Sequence, residues 1–216
     1  MMDPAISLQR AIAEPVEVVA SDPSWAISFE LERQRLVGLC PRVFIDLQHI
    51  GSTAVAGLPA SPVIDILAGV ASMARALALA PALRKAGYTS SEVVNAALPD
   101  SQWFMRWANG QRTHHLYVAV HDDDYWLDRL RFRDLLRRDT DLAARYLALK
   151  QALVLRHGRD REAYTDGKSD FVRQALEPPE ADEFEMKWRQ TPRPAVVVCS
   201  LFCSNRRPGK AAPGPC

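Results

Sequence analysis

The spacing of apolar residues changes several times along the chain, and each change marks an element. Trp25, Phe29, Leu36 and Leu39 recur at helical intervals with Glu30, Glu32, Arg33 and Arg35 between them, which predicts an amphipathic helix from Ser24 to near Pro41. Just before it, EPVEVVASDPSW reads as a short strand closed by a turn at Asp22-Pro23. RVFIDLQHI is strand-like and ends at Gly51, and PVIDILAGV is a second β-branched run of the kind found in the middle of a sheet. SMARALALAPALRKAGY predicts a helix bent at Pro81 and ended by Gly87. SQWFMRWANG and RTHHLYVAV predict a hairpin with Asn109-Gly110 at its tip. Beyond Asp122 the period is helical throughout. Trp126, Leu127 and Leu130 begin one helix, Leu142, Tyr146, Leu149 and Leu153 mark a second, and Tyr164, Lys168, Phe171 and Ala175 a third.

Strands interleaved with helices, followed by a helical half, predict an α/β (α+β) fold: a mixed sheet covered by helices on at least one face. The hairpin argues against a purely parallel sheet. The folded unit is expected over residues 14–177. From Pro178 the chain holds seven of its fifteen prolines and shows no sustained period, so residues 178–216 read as a mobile tail, with the irregular composition of a read-through extension. Only AVVVCSLF within it has the look of a strand.

With 216 residues the chain can build one sizeable core rather than two domains. Its 27 basic and 26 acidic residues give no global field for nucleic acid or an anionic membrane. The N-terminal MMDPAISLQRAIAEP lacks the basic-then-apolar order of a secretory signal, and no run is apolar enough to span a bilayer, so a cytoplasmic protein is expected. Cys40, Cys199, Cys203 and Cys216 lack the paired spacing of a zinc site and suit a reducing compartment.

Candidate chemistry gathers in QHIGSTAVAGLPASPVIDI, residues 48–66. A glycine followed by two hydroxyl residues after a strand, as in Gly51-Ser52-Thr53, presents backbone N–H groups and a hydroxyl of the kind that bind phosphate oxygens; a capped tight turn has the same composition. It is neither a Walker loop nor a dinucleotide fingerprint. Asp65 sits between Ile64 and Ile66 in an apolar strand, where a carboxylate is costly unless a cation, a basic side chain or several N–H groups meet it.

The run His49-Ile50-Gly51-Ser52-Thr53-Ala54-Val55, with Gly57-Leu58, Pro62 and Ile64-Asp65-Ile66, resembles the signature of the GrpB family, whose fold is similar to the nucleotidyltransferase superfamily. The likeness continues through RTHHLYV (112–118), FRDLLRRD (132–139), ARYLALK (144–150) and AYTDGKSDFV (163–172). The resemblance implies that Gly51-Ser52 is the turn that holds a triphosphate and that Asp65 is the first metal-binding aspartate, with magnesium, manganese or zinc as the divalent ion. His115 and His49 would complete such a site as ligands or acid-base groups, and Arg133, Lys150 and Lys168 match basic positions that reach toward an anionic ligand. Paired-magnesium chemistry uses two or three carboxylates, yet Leu67 stands two beyond Asp65. The chain also departs from the family pattern at Gln48, Ala56, Ser61 and Tyr117, where glutamate, proline, lysine and histidine are expected.

Two functions follow. One is a metal-assisted nucleotidyl transferase; the other is a non-catalytic module that captures a nucleotide or another small phosphorylated anion. Gln48, Ser61, Leu67 and Tyr117 favour the second, and retention of Ser52, Asp65, His49 and His115 supports the first. An adaptor for RNA or protein lacks a basic stripe or an exposed aromatic row.

Overall fold

The computed structural model describes residues 4–177. The proline-rich segment 178–216, with its AVVVCSLF run and Cys199, Cys203 and Cys216, lies outside the described residues. The elements run α1 (Pro4–Ala13), α2 (Ser24–Leu39), β1 (Asp46–Ile50), a one-turn 3-10 helix (Ser52–Ala54), β2 (Ile64–Val70), α3 (Met73–Ala78), α4 (Ala80–Lys85), β3 (Tyr88–Thr89), α5 (Glu92–Ala96), β4 (Ser101–Ala108), β5 (Gln111–Val120), α6 (Asp124–Arg138), α7 (Thr140–His157), α8 (Arg161–Asp166) and α9 (Ser169–Leu176). The strands form one mixed sheet in the order β1-β2-β5-β4-β3, in which only the β2/β5 pair is parallel. No described helix is long and apolar enough to cross a membrane.

Alternation along β2 fixes what each face of the sheet carries. Ile64, Ile66, Ala68 and Val70 point to one side, where they pack with Trp25, Leu36, Leu83, Phe104, Leu116 and Val118 under α2, α3 and α4. The other side holds Asp65 and a smaller apolar set, Ile50, Leu67, Ala119 and Trp126, beneath α6. Gly69 lies on this second side because a Cβ there would press on Trp126 and His121. Three of the four helices of the C-terminal half begin on aspartates: Asp123, Asp139 and Asp160 each accept a hydrogen bond from the backbone N–H three residues on.

The hairpin turns at Asn109-Gly110, both with positive φ, as a two-residue turn requires. Three details differ from the expectation. EPVEVVASDP contributes a single bridge, Val19 to Ala60, because its only partner is a loop residue rather than a sheet edge. The bend at Pro81 is a full break, with Ala80 and Pro81 opening a new helix where the missing N–H costs nothing. The third C-terminal helix is divided at Gly167, whose bare Cα lies against Leu153 of α7; a Cβ there would overlap the Leu153 side chain.

Glu32, which the pattern places among the polar positions of α2, is 3% exposed. Its carboxylate accepts from Tyr88 Oη at 2.6 Å, Arg35 Nη2 at 2.6 Å and Arg106 Nη1 at 2.5 Å, tying α2 to β3 and β4. Burial alone would raise its pKa, but the Arg35 and Tyr88 hydrogen bonds and the two guanidinium charges hold it below the usual carboxylate range. Glu32→Gln is expected to remove about 1–3 kcal/mol of stability in urea unfolding, because two arginines and a tyrosine then lose their anionic acceptor. Glu30→Gln, on the exposed side of the same helix, is expected to leave the unfolding midpoint unchanged.

Candidate functional site

The bend after β1 exists to let the chain pass close to Asp65. Gly51 has φ +70° and ψ −173°, a conformation that L side chains rarely adopt, and a Cβ at this position would overlap Asp65 Oδ2. The chain then enters the 3-10 turn Ser52–Ala54, which Arg137 of α6 fastens by donating to the Ala54 carbonyl at 2.9 and 3.1 Å. Glycine is needed here for both reasons at once: the backbone angle and the carboxylate against it.

Asp65 meets His115 across the parallel β2/β5 pair, where the two residues are register partners. His115 Nδ1 lies 2.9 Å from Asp65 Oδ1. An ionised carboxylate only accepts, so Nδ1 carries the proton and Nε2 keeps a lone pair; that nitrogen is buried and unpartnered. Trp103 and Tyr117 stand edge-on to the imidazole at 5.5 and 6.1 Å. Burial lowers the His115 pKa against the pull of Asp65, so the ring is held neutral.

Around this pair the structure gathers cations. Lys150 of α7 is 2% exposed and donates to Ser52 Oγ at 3.1 Å and to the Pro59 carbonyl at 2.6 Å. Burial, then the charge of Lys168, pushes its pKa down to about 8. Lys168 stands at the break between α8 and α9 with its ammonium 4.4 Å from the centre of the Tyr164 ring. Burial lowers it to about 8 as well, Asp65 opposing and Arg161 and Arg129 adding to the effect. Arg129 lies over the rings of Tyr125 and Tyr117 at 4.7 and 5.6 Å. Arg112 and Arg161 share the Glu14 carboxylate, at 2.6 and 3.4 Å. Burial, then the Arg112 charge, brings the Arg161 guanidinium down to about 10. Among the described residues, Lys150, Lys168 and Arg129 have no carboxylate at ion-pairing distance.

The structure therefore brings Gly51, Ser52, Asp65, His115, Lys150 and Lys168 to one side of the sheet. It places three other candidates elsewhere. His49 is the register partner of Ile66 and so faces the opposite side from Asp65. There it stacks on Phe29 at 4.8 Å and bonds through Nε2 to Thr53 Oγ1 at 3.0 Å, and burial drives its pKa down to about 4. Thr53 is occupied by that histidine and by the Val63 carbonyl. Arg133 is buried, donating to Gln48 Oε1 at 2.7 Å and to the His49 carbonyl at 3.1 Å while Asp134 balances its charge, and it acts as a staple between α6 and β1. Arg129, Arg161, Arg112 and Glu14 were not singled out from the sequence. Arg112 lies in the quoted RTHHLYV run, but nothing in the spacing of the other three brings them to Asp65.

The donor set does not match a paired-magnesium clamp. Asp65 Oδ1 is engaged by His115, and the positions beside Asp65 on its face carry Ile50, Leu67 and Tyr117. Among the described residues there is no group of three or more His, Cys, Asp or Glu side chains arranged to hold a metal ion.

Comparison with known proteins agrees with this architecture. The chain is 30% identical over 165 residues to the glutamate-rich protein GrpB of Alkalihalophilus pseudofirmus, covering 74% of this chain and 94% of that one. It is 29% identical over 162 residues to the UPF0157 protein YqkA of Bacillus subtilis, but spans only 46% of that protein's length against 75% of its own. The crystal structure of the conserved protein GrpB from Enterococcus faecalis superposes with a TM-score of 0.66 at 28% identity, covering 74% of this chain and 94% of that one. The family model described as GrpB protein matches residues 15–178, about three-quarters of the sequence, and the chain belongs to the GrpB family.

Proposed function

We propose that the side chains gathered about Asp65 bind a nucleotide or another small phosphate-bearing ligand, and that they do so as a binding module. The observation that carries this reading is Lys150: a buried ammonium with no carboxylate partner, fixed on the hydroxyl of the glycine-serine bend. A lysine has three N–H donors, and Ser52 and Pro59 take two of them. The third makes no hydrogen bond among the described residues, the centre of the Tyr146 ring lying 5.1 Å from the ammonium. Among the described residues Lys168 makes no ion pair either; its ammonium lies over the Tyr164 ring. A phosphate oxygen between these two ammonium groups and Ser52 Oγ would offset their mutual repulsion and replace the water that burial has removed.

Nucleotidyl transfer is the second reading, and the placement of Asp65 in a central strand beside the bend is what favours it. One carboxylate whose nearer oxygen is held by a neutral histidine cannot by itself activate an acceptor and neutralise a leaving pyrophosphate. Incubation with radiolabelled nucleoside triphosphates separates the two readings: retention of label without transfer supports the module, and turnover supports the enzyme.

Calorimetric titration with pyrophosphate and a panel of nucleoside triphosphates is expected to give one-to-one binding. Lys168→Ala is expected to weaken it by about 10-fold to 100-fold, the loss of one charge-assisted contact. Lys150→Met is expected to weaken it at least as much. A wild-type chain that binds none of these anions would contradict the proposal.

The affinity is also expected to depend on pH in one direction. Lys150 faces Ser52, Tyr146 and Lys168, and Lys168 faces Tyr164 with Asp65, Arg161 and Arg129 within electrostatic reach. Both ammonium groups are charged well below their pKa of about 8 and neutral well above it. Anion affinity should therefore be full near neutrality and fall as pH rises through the region of about 8 to 9, the fall becoming shallower in Lys168→Met. Titrations across that range measure it.

A further inference from the structure

We infer that this cluster neutralises its guest with fixed side-chain cations in the place where a nucleotidyltransferase-like site would use divalent metal, so that the ligand is taken in its metal-free form. The inference rests on the phosphate-binding reading above and goes beyond it by naming the charge state of the ligand.

On the negative side, a magnesium ion demands near-octahedral oxygen ligation and keeps its waters unless carboxylates replace them. Asp65 offers one free oxygen, Oδ2, packed against Gly51; its other oxygen holds the His115 proton. His115 cannot serve as a second ligand in this arrangement, because Nδ1 is bound to Asp65 and Nε2 is buried without access to solvent. Leu67 and Tyr117, on the two strands that flank the shared register, supply an alkyl chain and a phenol held neutral by burial.

On the positive side, the surroundings of Asp65 carry monovalent cations from four helices or their ends. Arg129 comes from α6, Lys150 from α7, and Arg161 and Lys168 from the ends of α8 and α9. Arg129, Arg161 and Lys168 are near enough to Asp65 for its charge to act on each of them. A dication at Asp65 would meet all three as like charges, with one carboxylate in its favour. A polyanion meets Arg129 and Lys168 as partners, Arg161 being shared with Glu14. Each cation is held by a ring or a hydrogen bond, Arg129 over Tyr125, Lys168 over Tyr164 and Lys150 on Ser52, so the positive array is in place before any guest arrives.

The expected preference is for phosphate esters or polyphosphates carrying their full negative charge. A magnesium-complexed polyphosphate has lost two of those charges and presents a hydrated ion to Lys168 and Arg129.

Two measurements on the full chain test this. The first is calorimetry with pyrophosphate, once in EDTA and once with magnesium in excess. Binding in EDTA that weakens by about tenfold or more with magnesium supports the inference. Binding that appears only with magnesium overturns it while leaving the phosphate-binding reading intact. Absence of binding in both buffers overturns that reading, and this inference with it. The second is titration of the ligand-free chain with manganese, followed by electron paramagnetic resonance. The expected result is no stoichiometric uptake; one-to-one uptake that disappears in Asp65→Asn overturns the inference whatever the calorimetry shows.

Discussion

A carboxylate near the start of a central strand needs a hydrogen-bond donor to replace the water it has lost, and His115 supplies one to Asp65 across the parallel β2/β5 pair. The two residues are register partners, so a slip of one position in that pairing would carry His115 to the other face of the sheet and leave the acid exposed to Leu67 and Ile50 alone. The bend at Gly51 depends on the same acid from the other side, since its missing Cβ is the space that Asp65 Oδ2 fills. Ser52 and the buried Lys150 are then placed by the bend. The bend and the lysine fixed on it thus inherit their positions from this one pair.

The two faces of the sheet handle buried charge in different ways. Under α2 the charges close on each other: Glu32 is met by Arg35, Arg106 and Tyr88, and the neighbouring His49 and His114 are driven toward the neutral form by burial. Under the C-terminal helices they do not close. Arg112 and Arg161 are balanced by Glu14, which precedes the family-matched region, whereas Lys150, Lys168 and Arg129 are supported only by rings, a hydroxyl and a carbonyl. Electrostatic closure on one side is the signature of a structural network; an open positive balance on the other is what an anionic guest would complete.

How much of this was legible in the sequence depended on whether the signal was local. The helix from Ser24, the strand around Asp65, the hairpin turning at Asn109-Gly110 and the mixed sheet all follow from spacing and turn chemistry within a few residues. The approach of the glycine bend to the strand of Asp65 follows from chain order, because a bend and the strand soon after it leave few other arrangements. What could not be read was the face each side chain occupies once distant strands pair. His49 and His115 look equivalent in the sequence, yet register with Ile66 sends the first to the α2 side and register with Asp65 brings the second into the cleft. Glu32 is one of several charges on a helix, and only the arrival of β3 and β4 makes it the buried one. Arg129, Arg161 and Glu14 carry no motif; they converge because α6, α8 and the N-terminal segment pack near one another.

The most direct test of this account is the protonation state of the histidine that holds Asp65. Nitrogen-15 NMR of the His115 ring at neutral pH is expected to show a pyrrole-type shift at Nδ1 and a pyridine-type shift at Nε2, a neutral ring donating to Asp65 Oδ1. Pyrrole-type shifts at both nitrogens, or the opposite tautomer, would contradict it, because the acid would then be neutralised by an imidazolium or left without its donor.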